Sequence, residues 1–519
     1  MCGIIFKNNK ITEDEISFLE HRGLRYNEYS SKNFSLGVWR LPTMDLSQDA
    51  DQPYVWRQYV IGFNGNIYNH LSLREILLKN GYRFKTNSDT ETLLKWFHYC
   101  RGDWNKFFRN LDGDYSFVIV DTAKNKAFIA VDPLSFKQLY YAFTSQSEWI
   151  FSSECKPILA NFVKIFLYED YLQMYKIFRY CPYEITPFYK VYKVPQTDMF
   201  VLNLNTGSIR EIDRPDNLSF KVSQYTELRN MNIEEAAKVL RKKIIETIKL
   251  RALTDQKIVI PLSGGIDSSI ITKVCADSGI EVNAINVRFR GYDYDESEFA
   301  EVIAEDCDIP LHKVNISLSR RDLVNFIYYY ENFADKGGVV PEFLLHKAIK
   351  KSSLGITVLS GDPADELFGG YKRILANNRE ELIRKFLVKY EDLRYEWIVD
   401  KWISKTPEDV EYARLFWDLL ETTFYNFPKK DRASMAYTLD SRAAYYSTDL
   451  IAMAIAIPRE FKYHKGIRKY ILRRAFKEDL PETILWREKK PFKYPGYKNL
   501  LLEEIFKEIF LERRLEFGR

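Results

Sequence analysis

The hydrophobic positions change rhythm partway along this chain. Up to about residue 205, apolar residues recur in short alternating runs bounded by turn residues, which predicts strands at 59–63, 115–121, 126–132, 138–143, 148–153 and 198–204. Two helices interrupt them. One begins near Leu71, and the other starts at Ser88, where Ser88 and Glu91 have the spacing of a capping box. Strands in runs with helices set apart predict an α+β fold. A polar stretch containing Thr206-Gly207 and Pro215 shows no period and places a linker at 206–230. An amphipathic helix over 233–253 then opens a different pattern: strand 257–262, helix 267–277, strand 281–289, helix 296–306, and later a strand at 356–359 that ends in Ser360-Gly361. Alternation of this kind predicts an α/β unit with a parallel sheet, whose ligands sit outside the carboxyl ends of the strands. Beyond Tyr371 the pattern is largely helical.

Composition supports two cores. A chain of 519 residues, 46% hydrophobic and 15% aromatic, is long and apolar enough to bury both. Its 76 basic and 72 acidic residues leave a net charge of +4, which argues against a nucleic-acid or other polyanionic partner and for small substrates of mixed charge. The cysteines, Cys2, Cys100, Cys155, Cys181, Cys275 and Cys307, are widely spaced and form no zinc-like pattern with the histidines, as expected for a reducing cytoplasm. No run reaches the roughly 18 apolar residues of a membrane-spanning helix, so no membrane association is expected.

Chemistry can be argued at two places. Removal of Met1 would leave Cys2 with a free α-amine, so that one residue carries both a nucleophilic thiol and a base. Taken alone, Cys2 is equally well an incidental small residue. The strand running into Asn64-Gly65-Asn66 can aim an amide side chain and a backbone N–H at one point, an oxyanion hole in outline, although a plain Asn-Gly turn has the same sequence. In the back half, Leu262-Ser263-Gly264-Gly265-Ile266-Asp267-Ser268-Ser269 joins an apolar strand to a helix through a glycine turn. Backbone N–H groups, hydroxyls and a helix N-terminus there form an anion nest suited to pyrophosphate. The chain lacks the Gly-Lys-Ser/Thr of a Walker loop. Ser360-Gly361-Asp362-Pro363-Ala364-Asp365-Glu366 brings three carboxylates to the same sheet edge, and carboxylates beside phosphates suit Mg²⁺ with Asp267 and Asp365 as ligands. A solvated acidic helix start is the plainer reading of those residues by themselves.

These motifs occur together and in order. Cys2-Gly3, Arg40-Leu41, Asn64 to His70, Ser88-Asp89, Leu111-Asp112-Gly113 and Ser153-Glu154 resemble a class II glutamine amidotransferase domain. The Ser-Gly-Gly loop, the segment Ser360 to Tyr371, Asp431-Arg432, Lys469 to Arg473 and Leu485 to Lys489 resemble the ATP pyrophosphatase (PP-loop) half of glutamine-hydrolysing asparagine synthetases. The resemblance implies an Ntn-hydrolase-like layered sandwich at 1–205, the linker at 206–230, and an ATP pyrophosphatase unit with a parallel sheet and helical end at 231–519. It also implies roles: Cys2 as nucleophile, Asn64 and Gly65 as oxyanion donors, and Arg40, Asn66 and Asp89 as further glutamine contacts. ATP would be held by Leu262, Ser263, Gly264, Gly265, Asp267, Ser268, Ser269, Val287, Ser360 and Gly361. Asp362 would belong to the acyl-adenylate pocket, and Lys489 would support the adenylated intermediate. Asn66 stands where the family has glutamate, Ser135 and Pro363 where it has glycine, and Asp362 where the better-studied members have glutamate, which marks a divergent member.

The expected reaction uses ATP with Mg²⁺ and glutamine to convert aspartate to asparagine through an acyl-adenylate, in the cytoplasm; a homodimer is expected at family level alone. Three alternatives remain at this stage. The acceptor is another carboxylate, on a sugar acid or a peptide; or the chain modifies RNA, against which stand its near-neutral charge and the lack of a Cys-x-x-Cys pair; or it is a non-catalytic binding protein, against which stands the retained Cys2.

Overall fold

The computed structural model describes residues 1–144, 148–215, 217–289, 296–333, 338–386, 396–487 and 502–512. The front half contributes twelve strands: β1 (Cys2–Lys7), β2 (Arg25–Ser30), β3 (Ser35–Arg40), β4 (Tyr54–Trp56), β5 (Tyr59–Ile67), β6 (Gly113–Asp121), β7 (Lys126–Val131), β8 (Tyr140–Phe143), β9 (Trp149–Ser152), β10 (Tyr192–Lys193), β11 (Asp198–Asn203) and β12 (Ile209–Asp213). They form two sheets of six, in the orders β10-β8-β9-β1-β3-β2 and β12-β11-β7-β6-β5-β4, with antiparallel pairing throughout. Side chains alternate across each strand, so one face of each sheet turns inward. Ile4, Phe6 and Leu36 of the first sheet pack with Val60, Val118, Val120 and Ile129 of the second. The outer face of the second sheet, with Ile61, Phe63 and Phe117, is covered by α1 (His70–Lys79) and α2 (Asp89–Cys100). The expected layered α+β sandwich is present.

Two local expectations are corrected. Ser88 does cap α2, its hydroxyl accepting from Thr90 N at 3.1 Å. Glu91 does not close the box: its carboxylate accepts from Lys85 N at 3.0 Å and Thr86 N at 2.7 Å, because the preceding loop supplies nearer donors. The stretch read as a linker is not structureless either, since β12 adds an edge strand to the second sheet and Asn217–Gln224 is helical.

The back half holds a five-stranded parallel sheet in the order β15-β14-β13-β16-β17, made of β13 (Ile258–Pro261), β14 (Val282–Phe289), β15 (Leu311–Ile316), β16 (Thr357–Ser360) and β17 (Asp440–Ala443). In chain order this is 3-2-1-4-5, so the direction of winding reverses between β13 and β16. That switch point is where an open α/β sheet leaves a crevice for ligand. Helices α3 (Ile233–Arg251) and α4 (Ile266–Asp277) pack against it with a core that includes Ile244, Ile248, Ile260 and Ile270. β17 was not expected as a strand: Asp440 and Arg442 give it a polar sequence, yet all four residues are buried. The further helices that matter for function are α5 (Val339–Ser352), α6 (Ala364–Phe368), α7 (Phe427–Met435) and α8 (Tyr470–Ala475).

Candidate active site

The front cluster forms where the paired strands β1 and β3 of the first sheet meet β5 of the second. β1 and β3 place Cys2 directly opposite Arg40, and Asn64 Oδ1 accepts from Cys2 N at 2.9 Å. Met1 is present, so that nitrogen is a peptide N–H standing where a free α-amine would be after Met1 is removed. Asn64 Nδ2 has only a long 3.5 Å contact, to Ser116 Oγ, which leaves it available as a donor. Gly65 has φ +136, and a Cβ there would lie 2.0 Å from Asp114 O, so both conformation and space require glycine.

Gln52, which the sequence did not mark, reaches the thiol. Its Nε2 lies 3.6 Å from Cys2 Sγ and 3.2 Å from Thr90 Oγ1, while its Oε1 accepts from Phe63 N at 2.7 Å. Nothing in a Gln-Pro pair reports this, because the contact arises only when the β4 approach folds over β5.

The glutamine contacts expected from resemblance are distributed less simply. Asp89 starts α2 and accepts from Ile67 N at 2.9 Å. Arg40 is buried and turned onto its own loop, donating to Ser47 O at 3.0 Å and Met44 O at 3.1 Å and pairing with Asp51 at 2.8 Å. Asn66 has a different duty from the ammonium contact expected of it. Its Oδ1 accepts from Arg442 Nη2 at 2.9 Å, and Nδ2 reaches Asp114 at 3.4 Å and Asp440 at 3.5 Å, so the carboxamide is spent on the junction between the halves.

That junction is ionic, and Arg442, Asp440, Arg22, Glu154 and Asp431 are all buried. Arg442 pairs with Asp440 at 2.7 Å; burial would raise the Asp440 carboxyl, but the guanidinium holds it down at about 2. Arg22 donates from Nε to Cys2 O at 3.1 Å and pairs with Glu154 at 2.9 Å and with Asp431 of α7 at 3.0 Å. One residue before Asp431, Lys430 pairs with Asp362 at 2.8 Å and with Glu342 of α5 at 2.7 Å. A single helix therefore reaches Cys2 through Arg22 and the edge carrying Asp362 through Lys430.

The back cluster fills the switch point. Ser263, Gly264 and Gly265 turn from β13 into α4. Gly264 has φ +64, and a Cβ there would lie 2.4 Å from Phe299 Cβ. The loop is drawn tight by Ser263 and Ser268, whose hydroxyls lie 3.3 Å apart, by Gly265 N donating to Ser263 Oγ at 3.3 Å, and by Asn286 Nδ2 donating to Leu262 O at 2.8 Å. Ser269 is fully buried behind it. Val287 lies near the carboxyl end of β14 and is half-buried. Ser360 and Gly361 complete the facing wall at the end of β16, where a Cβ on Gly361 would lie 3.0 Å from Asp267 Cβ.

Lys469 was quoted only as part of a motif, yet it occupies the centre of this cluster. Its ammonium pairs with Asp267 at 2.6 Å and Asp365 at 2.5 Å. The two carboxylates expected to bind metal thus converge on one cation. Beside them Glu366 is buried, accepting from Tyr371 OH at 2.8 Å and Asn426 Nδ2 at 2.9 Å. Burial, with Asp365 and Asp362 nearby, pushes its carboxyl up to about 8. Asp362 moves the other way: burial opposes ionisation, but Lys430 and Lys429 hold it below the ordinary range. Lys489 lies outside the described residues.

The asparagine synthase family profile matches residues 239–517, and a glutamine amidotransferase domain profile matches residues 1–211. The chain belongs to the asparagine synthase family. Within it, asparagine synthetase [glutamine-hydrolyzing] 1 of Bacillus subtilis is 26% identical, covering 95% of this chain and 87% of its own length. Putative asparagine synthetase [glutamine-hydrolyzing] 1 of Methanocaldococcus jannaschii is 24% identical, covering 99% of this chain and 97% of its own. The corresponding enzyme of Mesocricetus auratus is 24% identical over 85% of this chain and 72% of its own. At these identities this is a divergent member of the asparagine synthase family, with both halves present in one chain.

Proposed function

We propose that this chain is a glutamine-hydrolysing asparagine synthetase. It takes ATP, aspartate, glutamine and water to asparagine, glutamate, AMP and pyrophosphate. The observation that carries the reading is the pairing, in one chain, of a Cys2–Asn64–Gly65 cluster with a glycine-turn phosphate nest whose helix carries Asp267, joined through Lys469 to Asp365 at the switch point.

In the front half, loss of Met1 frees the α-amine of Cys2, which takes the thiol proton. The thiolate attacks the carboxamide carbon of glutamine, and Asn64 Nδ2 with the Gly65 N–H receives the developing oxyanion. Collapse expels ammonia and leaves a thioester, which water hydrolyses to glutamate. Gln52, at 3.6 Å from Sγ, orients the thiol by donating to it.

In the back half, the N–H groups around Ser263 to Ser268 hold the pyrophosphate portion of ATP at the N-terminus of α4. Val287, Ser360 and Gly361 flank the nucleotide. The β-carboxylate of aspartate attacks the α-phosphorus and releases pyrophosphate; ammonia then attacks the acyl carbon and releases AMP. Asp267 and Asp365 suit Mg²⁺, since they already share one cation in Lys469, and the metal would neutralise charge on the phosphate oxygens. The Lys469 side chain, held by Asp267 and Asp365, stands beside the leaving pyrophosphate. Lys430 holds Asp362 ionised at the mouth of the acceptor pocket.

Incubation with ATP, Mg²⁺, aspartate and amide-labelled glutamine tests this directly. Aspartate-dependent pyrophosphate release with the label in the amide of asparagine is expected. Pyrophosphate release indifferent to aspartate would sink the acceptor assignment.

A further inference from the structure

In the oxyanion hole the Gly65 N–H must keep one direction, yet glycine has the freest backbone of any residue. What fixes it stands on the neighbouring strand. β5 and β6 pair Gly65 with Tyr115 and Asn66 with Asp114. The N–H of the peptide after Gly65 is held by a side chain, Asn66 N donating to Asp114 Oδ1 at 3.2 Å. Asn66 Nδ2 reaches the same oxygen at 3.4 Å, and Tyr68 OH donates to Asp114 Oδ2 at 2.9 Å. One carboxylate thus spans the turn from Asn66 to Tyr68, directly after the two oxyanion donors.

Asp114, Asn66 and Tyr68 are all buried, so their polar groups find their partners inside the protein. The main chain of Asp114 crowds Gly65 as well, a Cβ there lying 2.0 Å from Asp114 O. The carboxylate is itself anchored: Lys137 Nζ stands 3.8 Å from it and donates to Ser441 O of β17 at 3.3 Å, which ties the turn to the back half.

We infer that Asp114 is a positioning residue for glutamine hydrolysis, its carboxylate oxygens locking the Gly65–Asn66 peptide so that the Gly65 N–H stays aimed at the oxyanion. The inference rests on the functional reading above and deepens it. An oxyanion donor acts as charge develops on the carboxamide oxygen, so a loosened turn slows the chemical step more than it weakens glutamine binding. Asp114→Asn keeps an acceptor oxygen for Asn66 N and turns an amide towards the Tyr68 oxygen, whereas Asp114→Leu, similar in size, keeps neither.

The test measures glutamate formation from glutamine and, separately, ammonia-dependent pyrophosphate release with ATP, Mg²⁺ and aspartate. The whole chain is used, unmodified and as Asp114→Leu and Asp114→Asn, with melting curves to verify folding. Asp114→Leu is expected to lose about 10- to 100-fold in kcat for glutamine at little changed KM, the cost of a donor displaced but not removed. Its ammonia-dependent rate should be kept, and Asp114→Asn should recover most of the loss. If Asp114→Leu does not fold, Asp114→Ser, whose hydroxyl stops short of Asn66 N, is read in its place. An unchanged kcat in the folded variant, a loss carried by KM or shared by the ammonia-dependent rate, or Asp114→Asn as slow as Asp114→Leu overturns the inference. Absence of glutamine hydrolysis by the unmodified protein is a different failure, that of the functional reading itself, and it removes the inference with it.

Discussion

Glu366 illustrates what a residue identity alone does not reveal. Among three carboxylates in one short segment, Asp362 and Glu366 are driven in opposite directions by what packs against them. For Glu366, with a folded pKa of about 8 against roughly 4.3 unfolded, the native state holds the proton through that interval and the unfolded chain does not. Stability is therefore greatest below the unfolded value and falls as pH rises towards 8, by up to ~1.4 kcal/mol per pH unit. Glu366→Gln fixes the neutral form. Between pH 6 and pH 8 the melting midpoint of the unmodified protein is expected to fall more than that of the variant, and parallel declines would refute the assignment. That Cys2, Asn64 and Gly65 lie together, and that the Ser-Gly-Gly segment makes a tight turn, was legible because those features are local: a strand at the terminus, a strand end, a turn that needs positive φ. Gln52, Lys469, Lys430 and Glu342 were not marked as site residues, because each owes its position to segments far away in the chain. Asn66 was read as a glutamine contact, but its partner Arg442 is 376 residues distant.

Elements were easier to read than residues. Strands β5, β6, β7, β8, β9 and β11 of the front half and β13, β14 and β16 of the back half follow from periodicity, since each buries one face or both. Among the strands that were not predicted, β1 and β17 escaped for opposite reasons. β1 is too close to the terminus to show a bounded run, and β17 hides an Asp440–Arg442 ion pair inside a buried strand. α8 shows why an element can matter through the residue just before it: Lys469, at φ +55, turns the chain so that its ammonium lies between Asp267 and Asp365. Lys469→Met leaves two carboxylates facing each other, a loss on the order of 3–5 kcal/mol for a broken buried pair. The variant is expected to melt lower than the unmodified protein without divalent cation and to gain more from added Mg²⁺. An identical response of both proteins to Mg²⁺ would show that these carboxylates do not share a cation.

At the scale of the molecule, the two halves are joined by buried charge rather than by a flexible tether. Arg22 binds Cys2 O and α7, α7 binds Asp362, and Arg442 binds Asn66. Such contacts fix orientation, because a displaced partner would leave an uncompensated charge in the interior. They also explain why the separate catalytic duties proposed for the halves are compatible with one rigid junction. Among the described residues no helix is long and apolar enough to cross a membrane, and all six cysteines are free. The junction itself was invisible in the sequence, whose polar segments Asp431-Arg432 and Asp440-Ser441-Arg442 gave no sign of burial.

The division of labour is tested most directly by the Cys2→Ala variant, assayed for aspartate-dependent pyrophosphate release with glutamine and, separately, with ammonia. The account predicts that glutamine no longer supports the reaction while ammonia supports it at close to the unmodified rate. Glutamine-driven turnover in the variant, or failure of ammonia to restore a correctly folded variant, would contradict it.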